Sequence, residues 1–230
     1  MSTHSQEQMA KLLESAARLQ QIVSGAVLVG GSAASIYAGH RLSVDHDHVI
    51  SDLNHRFDVV FEALKADPGW ETAKAVEGKI ILGSLDGIEA GIRQLRRAKP
   101  LETTVFTTLS NSEIVIPTPE ETLRIKAYFI VNRNQVRDYI DVVALSDMML
   151  PEQSAQVLLG LDEYYSDVHR YSRSIATELV EHLSDPNPKD FRTIANIENY
   201  KELKSDYRDW DSIVKRTREI ALEMTKNASI

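Results

Sequence analysis

The sequence predicts an α+β protein: a mixed sheet with flanking helices, followed by an all-helical C-terminal part. Three observations carry this. Residues 70–117 are rich in β-branched side chains and are broken at short intervals by Glu-Gly, Asp-Gly and Ser-Asn, as strands joined by tight turns are. From Pro119 onward apolar residues recur at helical spacing instead. Ahead of both, helical and extended patterns alternate. The expected domains are therefore 1–117 and 118–230.

Residues 6–22 read as an amphipathic helix, because Met9, Leu12, Leu13, Ala16 and Leu19 fall on one face. "GAVLVGG" is a short apolar strand ended by glycines. "SAASIYAGH" is a helix of small residues suited to close packing on a sheet, with Ser32 as its N-cap. "VDHDHVI" alternates as a strand does, and "NHRFDVVFEALKA" is a helix stopped by Asp67-Pro68-Gly69. The strands "WETAKAVEG", "KIILGSLDG", "IEAGIRQLR", "ETTVFTTLS" and "SEIVIPTP" follow. Pro119 stands in the first turn of the helix "PEETLRIKAYFIVN", where a missing N–H costs nothing. "NQVRDYIDVVALSDMM" is the next helix. "PEQSAQVLLGLDEYYSDVHRYSRSIATELVEHL" reads as one continuous helical pattern opened by Pro151. Pro186 and Pro188 break the chain, and "DWDSIVKRTREIALEMTKN" is a last helix.

Composition excludes several classes. With 230 residues, 43% apolar and 26% charged, the chain can bury a real core. It has no cysteine, hence no disulfide or thiolate metal site, which fits a reducing cytoplasm. The first residues lack the apolar core of a signal peptide. No run approaches the ~18 apolar residues of a membrane span. A cytoplasmic protein without a membrane partner is expected. A formal net charge of −8 argues against a dedicated non-specific nucleic-acid binder, whose affinity comes from neutralising phosphates. A local basic patch for RNA remains compatible with it.

The chemistry concentrates in "VGGSAASIYAGHRLSVDHDHVIS", residues 29–51. Residues i and i+2 of a strand share a side, so Asp45 and Asp47 project together. Adjacent carboxylates repel unless a cation lies between them. Mg²⁺ accepts one or two carboxylates plus phosphate oxygens. Gly30 and Gly31 let backbone approach a ligand, and a helix starting at Ser32 directs free N–H groups at an anion. Together these are the parts for phosphoryl or nucleotidyl transfer. Each half alone has a plainer reading, a strand-ending turn or a pair of surface charges; the ordered combination is what is specific. His46 is assigned to the opposite face, as packing. His48 is assigned to the aspartates' side but further along, and imidazole is a poor Mg²⁺ ligand.

This stretch resembles the first motif of the AbiEii/AbiGii-type nucleotidyltransferases of the DNA polymerase β-like superfamily, a Gly-Gly-Ser followed by His-Arg-x-Ser-x-Asp-x-Asp. Gly30, Gly31, Ser32, His40, Arg41, Ser43, Asp45 and Asp47 match it. Downstream, "LRIKAYFIVNRNQVRDYIDVVAL" is similar to the family's second motif through Lys126, Arg133, Arg137, Asp138 and Asp141. The resemblance spans residues ~25–150. It implies a nucleotidyltransferase-fold sheet and transfer of an NMP from an NTP to an acceptor hydroxyl with Mg²⁺ on Asp45 and Asp47. Gly30, Gly31, Ser32 and Lys126 would bind the nucleotide, and an Asp of the second motif would be needed for activity, with Asp141 read as serving there in a structural or site-orienting way. Arg41, Ser43, Glu89 and Asp138 would support the site. It further implies a type IV toxin–antitoxin or abortive-infection toxin, with a tRNA or RNA 3′ end as acceptor and an antitoxin protein as partner.

The second motif also has a structural reading. Lys126 and Arg133 are seven apart, two turns along one helical face, and Arg137 and Asp141 are placed to pair at i,i+4. Such groups can grip phosphate or simply clamp helices. Arg41 likewise either supports the site or fixes a loop to a carboxylate. The superfamily's third carboxylate would fall in "DGIEAGIRQLRR", where Glu89 shares a face with Gly91 and Arg93; either Glu89 serves or the third acid is absent. Arg93, Arg96, Arg97 and Lys99 form a basic cluster, either for acceptor phosphates or simply solvated. Tyr164, Tyr165, Tyr171 and Tyr200 either stack on bases or pack in the core. Two other functions share the motif logic: a small-molecule, aminoglycoside-type nucleotidyltransferase, and a degenerate protein that binds nucleotide or a partner without chemistry.

Overall fold

The computed structural model describes residues 3–170, 172–200 and 202–228. The chain divides into two compact units, residues 1–35 with 42–118, and residues 36–41 with 119–230.

The first unit is the expected mixed sheet with flanking helices. Its helices are α1 (Thr3–Ile22) and α3 (Leu53–Ala66), and α2 (Gly30–Ala38) begins in it. Strands β1 (Val27–Val29), β2 (His46–Ile50), β3 (Trp70–Val76), β4 (Ile80–Leu85) and β5 (Ile88–Gln94) form a sheet of order β1-β2-β5-β4-β3. The β2–β5 pair is parallel and the others are antiparallel. Strands β6 (Thr103–Thr107) and β7 (Glu113–Pro117) make a separate two-stranded ribbon.

Leu19, Val23, Ile50, Leu64, Trp70 and Ile92 belong to one buried cluster between α1, α3 and the sheet. Burying each such side chain contributes roughly 1.5–3 kcal/mol. The Gln20 amide, on α1, closes two bonds on the backbone of Val115, donating to its carbonyl at 2.9 Å and accepting from its N–H at 2.8 Å. The β4–β5 turn is Asp86-Gly87, both at positive φ, as the Asp-Gly pair requires. Arg18 on α1 pins that turn, pairing with Asp86 and, at 2.6 Å, with Asp67.

The second unit is helical, as expected. It holds α4 (Pro119–Asn132), α5 (Val136–Ser146), α6 (Pro151–Leu159), α7 (Leu161–Tyr165), α8 (Ile175–Ser184) and α9 (Trp210–Ala228), with 3₁₀ segments at Phe191–Asn199 and Ser205–Tyr207. The long pattern after Pro151 is three helices rather than one. Gly160 separates α6 from α7, and α8 restarts at a Ser174 N-cap. Asp162 holds that restart by accepting from Ile175 N at 2.7 Å, Ala176 N at 3.1 Å and Ser174 Oγ at 2.8 Å. Helix α5 has no side-chain cap of its own; Asp190 supplies one from far along the chain, accepting from Val136 N at 2.8 Å. Tyr139, fully buried, donates to Asn134 Oδ1 at 2.7 Å and meets Trp210 edge to face. No helix among the described residues is long and apolar enough to cross a membrane.

Candidate active site

In the first unit the glycines and the carboxylates converge. Val29 of β1 pairs with Asp47 of β2, so the next residue, Gly30, lies against the Asp47 side chain. Gly30 has φ +77°, which glycine adopts without strain, and a Cβ there would stand 3.6 Å from the Asp47 Cβ. Helix α2 starts at Gly30, so Ser32 is not the expected N-cap. It lies inside the first turn, and its hydroxyl donates to the Asp45 carbonyl at 2.6 Å, tying helix start to strand start. Ser43 donates to the same carbonyl at 3.3 Å and reaches Asp45 Oδ1 at 3.5 Å.

On the other side, parallel pairing sets Asp47 opposite Gly91 of β5. A Cβ at Gly91 would come 2.6 Å from Asp47 Oδ1 and 3.1 Å from a Leu82 methyl, so a side chain there would push the Asp47 carboxylate aside. Asp45, Asp47, Leu82, Glu89, Gly91 and Arg93 line one cleft of about 350 Å³. Arg93 Nε stands 3.5 Å from Asp47 Oδ1. Glu89 lies on the cleft wall, but no group of three His, Asp or Glu side chains among the described residues is arranged to hold a metal ion. A concavity of about 420 Å³ along α9, between Asp211 and Leu222, is larger, but only that helix lines it and no catalytic set converges there.

The reverse face of β2 is core. His46 and His48 are both buried, with ring centroids 5.3 Å apart. His48 is therefore not on the aspartates' side, because strict two-residue alternation puts it with His46. His46 Nε2 meets Ser15 Oγ at 3.0 Å, while neither nitrogen of His48 has a hydrogen-bond partner among the described residues. Burial pushes His46 down to about 4, offset in part by Asp45, and pushes His48 well below the usual histidine range.

The second motif assembles within the second unit as a buried ion cluster on Asp141. Arg41 grips this carboxylate with two bonds, Nε to Oδ1 at 2.8 Å and Nη2 to Oδ2 at 2.9 Å. His40 Nε2 lies 2.7 Å from Oδ1 and Lys126 Nζ 2.7 Å from Oδ2. Asp141 is fully buried, and Arg41 and Lys126 are each 3% exposed at the side chain. Burial alone would raise the Asp141 carboxyl, but the charges of Arg41 and Lys126 and the bonds from His40 and Arg41 hold it well below the carboxylate range. Burial lowers Lys126, against the opposing pull of Asp141. Burial likewise lowers His40, against the opposing pull of Asp141, to which its Nε2–H donates.

Several expected pairings are replaced. Arg133 lies past the end of α4, not on a face shared with Lys126, and pairs with buried Asp138 at 2.6 and 2.8 Å. Asp141 is held by Arg41, His40 and Lys126 rather than Arg137, whose Nε has no hydrogen-bond partner among the described residues. The basic cluster splits: Arg93 faces the cleft, while Arg97 is buried and donates to the carbonyls of Lys99 and Pro100. Tyr164 and Tyr165 are core residues; Tyr165 stacks on Tyr128 with centroids 4.0 Å apart. Tyr200 is half-buried, and Tyr171 lies outside the described residues. The role of His40 as a donor to Asp141 has no signal in the sequence beyond its place before Arg41.

The solved structures this chain is similar to carry the same architecture. The nucleotidyltransferase toxin MenT4 of Mycobacterium tuberculosis H37Rv superposes with a TM-score of 0.62 at 15% identity, covering 94% of this chain and 82% of that one. A putative nucleotidyltransferase from Helicobacter pylori gives 0.56 at 14% identity over 100% and 98%. An antigenic nucleotidyltransferase-like protein from Paracoccidioides brasiliensis gives 0.54 at 15% over 87% and 95%. The chain therefore has the nucleotidyltransferase fold. No protein-family model matches it. Among curated proteins, the heme uptake protein MmpL11 of Mycobacterium tuberculosis is 36% identical over 133 residues, 58% of this chain and 13% of that protein. The mycolic acid-containing lipids exporter MmpL11 of Mycolicibacterium smegmatis is 32% identical over 134 residues, 58% and 14%. The chain thus spans only 13–14% of the length of these relatives.

Proposed function

We propose that the chain is a Mg²⁺-dependent nucleotidyltransferase that moves an NMP from an NTP to an acceptor hydroxyl at a tRNA or other RNA 3′ end. In this reading it is the toxin of a type IV toxin–antitoxin or abortive-infection pair, with an antitoxin protein as partner. The observation that carries the reading is that Asp45 and Asp47 line one cleft of a nucleotidyltransferase-fold sheet, with glycines on both flanks of Asp47. The toxin role draws on the motif resemblance and on the fold likeness to a structure described as a toxin.

The donor set suits a hard divalent cation: two carboxylates, with Asp47 35% exposed and open to the cleft. Asp45 and Asp47 would hold such an ion, which would supply charge neutralisation on the triphosphate. The residues of the chain do the rest. The backbone at Gly30, Gly31 and Ser32 receives phosphate oxygens. The bonds of Ser32 and Ser43 to the Asp45 carbonyl fix the backbone that carries the first carboxylate. The acceptor oxygen bonds to the α-phosphorus, the bridging P–O bond breaks with its electron pair, pyrophosphate leaves, and the hydroxyl proton passes to water. Asp141 is a positioning residue that holds α4, α5 and residues 36–41 together through Lys126, Arg41 and His40. Lys126 Nζ is paired with Asp141 at 2.7 Å.

The test is incubation with each labelled NTP, Mg²⁺, and either total tRNA or an aminoglycoside. Label on RNA supports the proposal. Label on the drug replaces the acceptor with a small molecule, and nucleotide binding without transfer reduces the chain to a binding protein. Full transfer by Asp45→Asn would refute the site.

A further inference from the structure

We infer that Arg93 is a phosphate-binding residue of the cleft, so that the site works with one divalent ion and one fixed guanidinium. The inference rests on the nucleotidyltransferase reading above and extends it. Strand register carries it. Asp47 pairs with Gly91, so no acid stands directly opposite that carboxylate. On the same face of β5 the neighbours of Gly91 are Glu89 and Arg93. Glu89 does not gather with Asp45 and Asp47 into a set of three metal ligands. The side chain that reaches Asp47 is the cation, with Arg93 Nε at 3.5 Å.

That contact is a poor structural device. The two side chains are 47% and 35% exposed, and exposed ion pairs are worth about 0–1 kcal/mol. The guanidinium is thus held at the mouth of the carboxylate pair without being committed to it. Its planar fork grips two phosphate oxygens at once. Charge balance points the same way. A divalent ion shared by two carboxylates leaves the charge of a triphosphate uncompensated, and Arg93 is the cation lining this cleft among the described residues. A second ion beside Asp47 would compete with the guanidinium for space and would be repelled by it.

The experiment is equilibrium binding of Mg²⁺ with ATP, GTP, CTP and UTP, by calorimetry, to the wild type, Arg93→Ala, Arg93→Lys and Glu89→Gln. Thermal melting establishes that each is folded. For the NTP that the wild type binds, Arg93→Ala weakens binding roughly 10–100-fold, the scale of a lost charged hydrogen bond. Arg93→Lys recovers part of the loss, and a Glu89→Gln loss of Mg²⁺-dependent binding as large as that of Arg93→Ala would overturn the reading of a guanidinium in place of a third acid. Mn²⁺ titration followed by electron paramagnetic resonance counts one ion per bound nucleotide. Unchanged or tighter binding by Arg93→Ala, or two ions per nucleotide, overturns the role of Arg93 alone. Absence of NTP binding by the wild type overturns the parent reading and this inference with it.

Discussion

Replacing Asp141 by Asn tests whether the second motif is a structural clamp. Asp141 is the shared acceptor of four donor contacts, all between 2.7 and 2.9 Å, and it is fully buried. Asparagine keeps the shape and one acceptor oxygen but removes the charge. Lys126, already lowered by burial, can respond by shedding its proton. Arg41 cannot, because a guanidinium stays charged in proteins. The variant therefore breaks the buried two-bond ion pair between Asp141 and the 3%-exposed Arg41, and breaking a buried pair costs about 3–5 kcal/mol. At this chain length that is roughly 10 °C in Tm. Asp47→Asn is the control: its 35%-exposed carboxylate should change stability by less than about 1 kcal/mol. Urea denaturation followed by circular dichroism measures both. Asp141→Asn within about 1 kcal/mol of wild type would mean that Arg41 and Lys126 find other partners, and the clamp would be wrong.

Gly91→Ala should leave the melting temperature close to wild type yet displace the Asp47 carboxylate, weakening Mn²⁺ binding about tenfold or more in a direct titration; unchanged binding would show that Asp47 does not take the ion. Asp162→Asn should cost about 1–2 kcal/mol, because three donors at the start of α8 lose a charged acceptor. Burial raises the Asp162 carboxyl, but the N–H groups of Ile175 and Ala176 and the Ser174 hydroxyl more than offset that and hold it below its ordinary 3.8. The unfolded chain then takes up the proton first on acidification. The contribution of Asp162 is complete above 3.8 and is lost as pH falls through its folded value, so wild type and Asp162→Asn should converge in stability at low pH. Asp190→Ala removes the donated cap of α5 and should cost about 1 kcal/mol in the same denaturation assay.

Most elements were legible because their signals are local. The β-branched runs and Asp86-Gly87 turn of β4 and β5, and Pro119 at the head of α4, each specify their element without help from elsewhere. The failures are places where a distant group decides. The restart of α8 depends on the Asp162 carboxylate, thirteen residues before Ile175, and nothing local marks it, so pattern alone ran α6 to α8 together. Nothing local in Ile36–Arg41 indicates that it belongs with the second unit.

The site divides along the same line. That Asp45 and Asp47 face one cleft matches the alternation expected of the stretch, although Asp45 itself stands in the bend just before β2, and applying that rule fully also places His48 beside His46 in the core. What a single strand cannot give is register against its neighbour. Glu89, Gly91 and Arg93 share a face by sequence, but which of them meets Asp47 depends on how β5 slides along β2. A two-residue slip toward one end would set Glu89 opposite Asp47 and build a three-acid site. The same slip the other way would drive Arg93 into it. The register that the fold adopts puts the glycine there and leaves the arginine one step along. The charge of the cleft is therefore a property of strand pairing, and measuring how nucleotide affinity responds to Arg93→Ala reads that pairing directly.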